Sequence, residues 1–180
     1  KPLFGDENYG VIENVTLNGS ELVQVTGCGF VKQNYNHIRD CTLETTVSTH
    51  RLDQSGGIVK ENAGVINNCT IQQSKIYGRT KVGGIAGVNT GMNNESDGIK
   101  NCQVKNSEVI AGTEIGGITG LNTATVENCS VRESTVAKEN TRTLNIWGRK
   151  LDLSSKTLTL TIVRKRHHLG DKIGGIAGIN

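Results

Sequence analysis

Proline occurs once in these 180 residues and aromatic residues make up only 3% of them. A compact core normally draws on the large buried areas of Phe, Tyr and Trp. Here Val, Ile and Leu must supply it, in short runs broken by asparagines and 23 glycines. That composition disfavours long helices, since each interior glycine costs about 0.8–1 kcal/mol relative to alanine. No apolar run reaches the ~18 residues that would suggest a bilayer span, and no signal peptide is visible. The signatures HExxH, GxSxG, CxxC and GxxxxGK[ST] are absent, as is GxGxxG between a strand and a helix. The net charge of +3 is local: residues 140–172 hold eight Lys/Arg and two Asp/Glu, against twelve and fifteen elsewhere. A nucleic-acid surface running the length of the molecule is therefore not expected.

What the chain has instead is a recurring phrase. Val-Gly-Gly-Ile-Ala-Gly-Val-Asn at 82–89 returns as Ile-Gly-Gly-Ile-Thr-Gly-Leu-Asn at 115–122 and as Ile-Gly-Gly-Ile-Ala-Gly-Ile-Asn at 173–180. Weaker copies lie at 2–8, 27–34 and 55–62. Anchored on Asn8, Asn34, Asn62, Asn89, Asn122 and Asn180, the intervals are 26, 28, 27, 33 and 58 residues. Such a period marks a repeat architecture.

Each unit is legible from its anchor. Four residues on stands an aliphatic side chain (Ile12, Ile38, Ile66, Val126). An Asn or Asp followed by Cys comes next, as Asp40-Cys41, Asn68-Cys69 and Asn128-Cys129, with Asn14-Val15 in the first unit. Nine residues on are Leu17, Leu43, Ile71 and Val131, and twelve on are Ser20, Thr46, Ser74 and Ser134. One unit keeps this order six residues late (Ile99, Asn101-Cys102, Val104, Ser107), its insert within 90–98 reading as a polar loop. Apolar positions two apart indicate strands. The spacing predicts an all-β, right-handed parallel β-helix (β-solenoid) of about six rungs, roughly 27–30 residues each, with two or three short strands per rung. The plus-nine aliphatics should form an internal ladder and the anchor asparagines a hydrogen-bonded stack.

Residues 1–180 read as a single solenoid domain, and phrases at both ends suggest part of a longer protein. The 58-residue interval admits two readings: an inserted hairpin, or a degenerate basic rung in which Ile146 and Gly148 echo the phrase and divide the interval into 28 and 30. The degenerate rung is the preferred one, with a strand at 158–162.

Chemistry is thinly represented. Cys41, Cys69, Cys102 and Cys129 share one repeat position. The odd count of five, Val15 in the first unit and the lack of histidine at that position favour a buried thiol ladder over disulfides or a thiolate metal site. Cys28 replaces the first glycine of its phrase and also reads as structural. A phosphate-cradling role for the glycines is disfavoured, because the phrase recurs in several units. His37, His50, His167 and His168 are scattered, and carboxylates such as Asp40, Glu44 and Asp53 are candidates to share one face. No catalytic, cofactor-binding or metal residues are assigned. Arg164, Lys165 and Arg166 form the one dense basic run and the candidate anionic-ligand patch. Five N-x-[ST] sequons begin at Asn14, Asn18, Asn68, Asn94 and Asn128. Two fall in the Asn-Cys element expected to be buried, so the set is read as a by-product of the repeat.

The phrase GGIAG-[VI]-N, followed by an IxNC-type strand, resembles the GLUG-motif repeat of large bacterial surface and secreted proteins. That repeat also occurs upstream of the catalytic domain in IgA-specific zinc metallopeptidases. The resemblance is clearest at 56–62, 82–89, 115–122 and 173–180, and weak over 2–34 and 141–170. It implies a secreted or surface-exposed β-helical stalk or adhesion module, and it carries over no catalytic residue. The expected function is thus a non-catalytic extracellular module, rigid stalk or adhesive surface, whose partner is a host protein or glycan. The alternative is an accessory substrate-binding domain of a larger secreted enzyme, a metallopeptidase or glycan-active protein. No nucleic-acid partner and no membrane insertion are expected, but exposed rung edges favour end-to-end stacking.

Overall fold

The computed structural model describes residues 2–19, 27–48, 53–92, 96–139, 143–146, 149–152 and 173–179. Among them there is no helix, and the strands stack into parallel sheets, so the chain is an all-β parallel solenoid. The phrase strands (Glu7–Asn8, Val31–Asn34, Val59–Asn62, Ala86–Asn89, Thr119–Asn122, Ala177–Ile179) form a six-stranded first sheet. The second sheet contains Val11–Glu13, His37–Arg39, Val65–Asn67, Gly98–Lys100 and Thr125–Glu127. The third contains Thr16–Asn18, Thr42–Glu44, Thr70–Gln72, Gln103–Lys105 and Ser130–Arg132. Each rung thus opens on its phrase and turns through the second and third sheets.

A fourth sheet follows the third, beyond the two or three sides expected. It is built on Thr46–Ser48, Lys75–Gly83, Glu108–Gly116 and Thr135–Lys138, with Ser55–Gly56 and Ile173–Gly174 paired to its long strands. Its alternation is hard to read because Lys81 and Glu114 take positive φ (52° and 54°), which shifts the in–out phase partway along the strand.

Inward residues stack by type. Ile12, Ile38, Ile66, Ile99 and Val126 are paired rung to rung in the second sheet. Leu17, Leu43, Ile71, Val104 and Val131 are paired in the third. Val47, Ile76, Val109 and Val136 do the same in the fourth. With Phe30, Ile58, Ile85 and Ile118 these make one continuous core.

Glycine makes the phrase possible through close approach. A β-carbon at Gly83 would stand 2.1 Å from the Ala86 carbonyl oxygen and 2.5 Å from Thr119 Cα. At Gly84 it would stand 2.3 Å from the Gly117 oxygen and 2.6 Å from Val104 Cγ2, the aliphatic that crosses the rung from the third sheet. No larger residue fits where backbone meets backbone at this range.

Polar side chains seal the corners. Asn8, Asn34, Asn62 and Asn89 each donate from Nδ2 to the Oδ1 of the next anchor asparagine, at 2.8, 2.8, 2.8 and 2.7 Å. This is the stack expected from the repeat. Asn14, Asp40, Asn68, Asn101 and Asn128 turn the corner between second and third sheets with φ of 52–57°. That region is open mainly to Gly, Asn and Asp, and accounts for the residue before each cysteine. Ser74, Ser107 and Ser134 each accept, at Oγ, a backbone N–H from the preceding rung, donated by Thr45, Ser74 and Ser107. In the second rung the residue in this column is Thr45 rather than Thr46, because Lys75 pairs with Thr46. The later rungs carry an extra positive-φ residue here (Gln73, Asn106, Glu133) that the second lacks.

The degenerate rung is not present between the last two phrases. Ile115 pairs with Ile173 and Thr119 with Ala177, so the phrase at 173–179 lies directly on the one at 115–122. The segment that echoes the phrase carries Leu144 and Asn145 where the phrase needs its two contact glycines. Its strands Thr143–Ile146 and Arg149–Asp152 pair antiparallel with each other instead. The strand expected at 158–162 lies outside the described residues.

Candidate functional site

The repeat-position thiols point inward. Cys41, Cys69 and Cys102 are buried, Cys129 is half-buried, and all five cysteines are free thiols. Cys41, Cys102 and Cys129 donate to the carbonyl two residues before them at 3.1–3.2 Å, and Cys69 does so at 3.4 Å. These bonds close the same positive-φ corner from inside. Donation from the Cys102 thiol, then from Cys41, draws Cys69 down to about 4 against burial. The pairing pushes Cys41 upward, and pairing with Cys129 and Cys69 does the same to Cys102. Cys129, at the half-buried end, is drawn down to about 7 by Cys102. Cys28 stands apart: burial pushes it up to about 12, partly opposed by the Lys60 backbone N–H.

The carboxylates are engaged at separate places. Asp40 accepts from Asn68 Nδ2 at 2.6 Å, Glu44 accepts from Gln72, and Asp53 pairs with Arg79 at 2.6 Å. His37 lies on the outer face of the second sheet beside Asn36. Among the described residues no group of three or more His, Cys, Asp or Glu could hold a metal ion. Arg164, Lys165, Arg166 and His50, His167 and His168 lie outside the described residues.

Among the described residues, the surface with the most recognition chemistry was missed in the sequence. Asp6, Glu7, Lys32, Gln33, Lys60 and Glu61 line a shallow depression of about 270 Å³ on the outer face of the phrase sheet. It exists because Lys32 and Lys60 replace the third glycine of the phrase. In later rungs that position is Gly87, Gly120 and Gly178, where a β-carbon would meet backbone atoms at 2.4–2.8 Å. Lys32 pairs with Asp6 at 2.7 Å, and Gln33 donates to Glu61 at 3.4 Å. At the rim Tyr9 and Tyr35 stack with centroids 4.9 Å apart and planes 10° from parallel. Their hydroxyls donate to Glu7 and Gln33 at 3.2 and 3.0 Å, which ties the aromatic pair to the charged floor. Tyr9 is 67% exposed. The signal that could have revealed this surface was the departure of Lys32 and Lys60 from the glycine phrase.

The described residues define a parallel β-solenoid with buried side-chain ladders inside and a mixed-charge, tyrosine-rimmed surface outside. Compared with family models, curated proteins and solved structures, the chain matches none.

Proposed function

We propose that this chain is a non-catalytic extracellular repeat module of a bacterial cell-surface or secreted protein, serving as a rigid stalk that presents an adhesive face. The observation carrying this reading is the unbroken stacking: four sheets and an internal asparagine ladder run from rung to rung in register. Each rung adds about 4.8 Å of hydrogen-bonded length, and nearest-neighbour stacking resists bending. The partner, a host protein or glycan, would read the depression between Lys32 and Lys60 together with the tyrosine pair. Aromatic faces beside paired carboxylates and amines suit a polyhydroxylated ligand, which offers both C–H faces and hydroxyls.

The tyrosine-rimmed depression also favours the second reading, an accessory substrate-binding domain of a larger secreted enzyme. A glycan and host-protein array probed with the purified chain tests the adhesive face. A specific hit lost in Lys60→Ala or Tyr9→Ala is expected, and a hit insensitive to both would overturn this surface as the site. Protease shaving of intact cells tests location: a chain protected until lysis would overturn the extracellular reading.

A further inference from the structure

The sequons occupy a surface column that their sequence pattern did not suggest. Asn14, Asn68 and Asn128 are exposed at the positive-φ corner, and only the residue between Asn and hydroxyl (Val15, Cys69, Cys129) turns inward. The residues two further on follow onto the outer face of the third sheet, where Thr16 is exposed and Thr70 and Ser130 are half-buried. Three complete Asn-x-Ser/Thr triplets therefore sit at one structural position, in the first, third and fifth rungs. The two rungs between break the triplet in different ways: Asp40 replaces the asparagine ahead of Thr42, and Gln103 replaces the hydroxyl after Asn101.

The corner explains the asparagines by itself, since Asn or Asp relieves the cost of positive φ. It does not explain the hydroxyls, because the fourth rung turns the same corner with Gln103. Nor does the corner require alternation. Rungs repeat at about 4.8 Å, closer than two sugar rings side by side, whereas alternate rungs are about 10 Å apart.

We propose that Asn14, Asn68 and Asn128 are N-glycan attachment sites, arranged so that carbohydrate occupies every second rung of one edge. The inference rests on the extracellular reading above. The donor is a glycosyl diphosphate, nucleotide- or lipid-linked. In the transfer, the asparagine Nδ2 forms a bond to the anomeric carbon while the bond from that carbon to the diphosphate oxygen breaks. The diphosphate leaves with the electron pair, and one Nδ2 proton passes to a base of the transferring enzyme. The substituted amide keeps one N–H, enough to retain the 2.6 Å bond from Asn68 to Asp40.

The test uses folded, purified chain in two arms. One supplies a soluble N-glycosyltransferase with UDP-glucose, the other an oligosaccharyltransferase with a polyprenyl-diphosphate oligosaccharide. Peptide mass mapping reads the sites, so the outcome does not depend on where the protein resides. Sugar on Asn14, Asn68 and Asn128 with an unchanged melting profile is expected in at least one arm, which also identifies the donor. Loss of sugar at Asn68 alone in Thr70→Val, with folding intact, would tie it to the triplet. Asp40→Asn completes a triplet in the second rung, and crowding should then lower occupancy at Asn14 and Asn68 by several-fold. A folded chain bare in both arms, or accepting sugar at these sites only after unfolding in urea, would overturn the proposal. So would full occupancy of three consecutive rungs in Asp40→Asn.

Discussion

Asn62 donates from Nδ2 to Asn89 Oδ1 at 2.8 Å while its own Oδ1 accepts from Asn34 Nδ2 at 2.8 Å. Both neighbours are fully buried, and the same Nδ2 also reaches the Gly64 carbonyl at 3.0 Å. An anchor in mid-stack therefore satisfies three groups that have no access to water. Asn62→Leu takes a bond from each. The Gly64 carbonyl keeps the Gly98 N–H at 2.9 Å and Asn34 Nδ2 keeps the Asn36 carbonyl at 3.0 Å, but Asn89 Oδ1 loses its ladder donor. A buried group left unsatisfied costs about 1–3 kcal/mol. A loss of roughly 3–5 kcal/mol in urea unfolding is expected. Asn62→Asp should lose at least as much at neutral pH, because a carboxylate cannot donate to Asn89. It should recover part of that loss in acid.

The glycine phrase makes a contrasting prediction. Gly84→Ala places a methyl 2.3 Å from the Gly117 carbonyl oxygen of the next rung. Gly84→Ala should cost about 3 kcal/mol, as overpacking does. Adding Val104→Ala should not rescue Gly84→Ala, since the nearest atom belongs to backbone. Chemical denaturation of the parent and the two variants decides it.

Alkaline pH should weaken the fold in a window set by Cys28. Burial raises this thiol from 9.0 to about 12. The unfolded chain releases the proton near pH 9 while the folded chain holds it until about 12, so stability present below pH 9 is lost as pH rises toward 12. The slope from this group approaches about 1.4 kcal/mol per pH unit at most. Cys28→Ala, compared with the parent by thermal melts from pH 8 to 11, should lose that part of the alkaline decline.

Thiol reactivity should follow the ladder. Unfolded under non-reducing conditions, the protein should titrate five thiols, matching the five free cysteines. In the native state Cys129, half-buried and drawn down to about 7, should react first. Cys41 and Cys102 should wait for unfolding. Fast native labelling of Cys102, read by peptide mass mapping, would contradict the inward ladder.

Much of the rung was legible in the residues themselves. Ile38, Ile66 and Ile99, or Leu43, Ile71 and Val104, recur at fixed offsets because stacked rungs superpose equivalent side chains, and so the fold class follows. The stack of Asn34, Asn62 and Asn89 was legible for the same reason. The fourth side was not, because the positive-φ residues Lys81 and Glu114 break the period on which strand reading depends. The tyrosine-rimmed depression was hidden differently. Glu7, Lys32 and Glu61 lie on three rungs and become neighbours only through the register Glu7–Gln33–Glu61.

The sequence by itself determined that this chain coils, how long the regular rungs are, and which residues of the second and third sheets face inward, since equivalent side chains must stack at one rung spacing. Tertiary structure alone decided which phrase lies on which. Ile173 pairs with Ile115 across the 58-residue interval because Leu144 and Asn145 cannot make the backbone contact that two glycines make. It also decided what the surface offers. Asn68 is exposed beside a buried Cys69 because one left-handed residue rotates neighbouring side chains onto opposite sides of the wall.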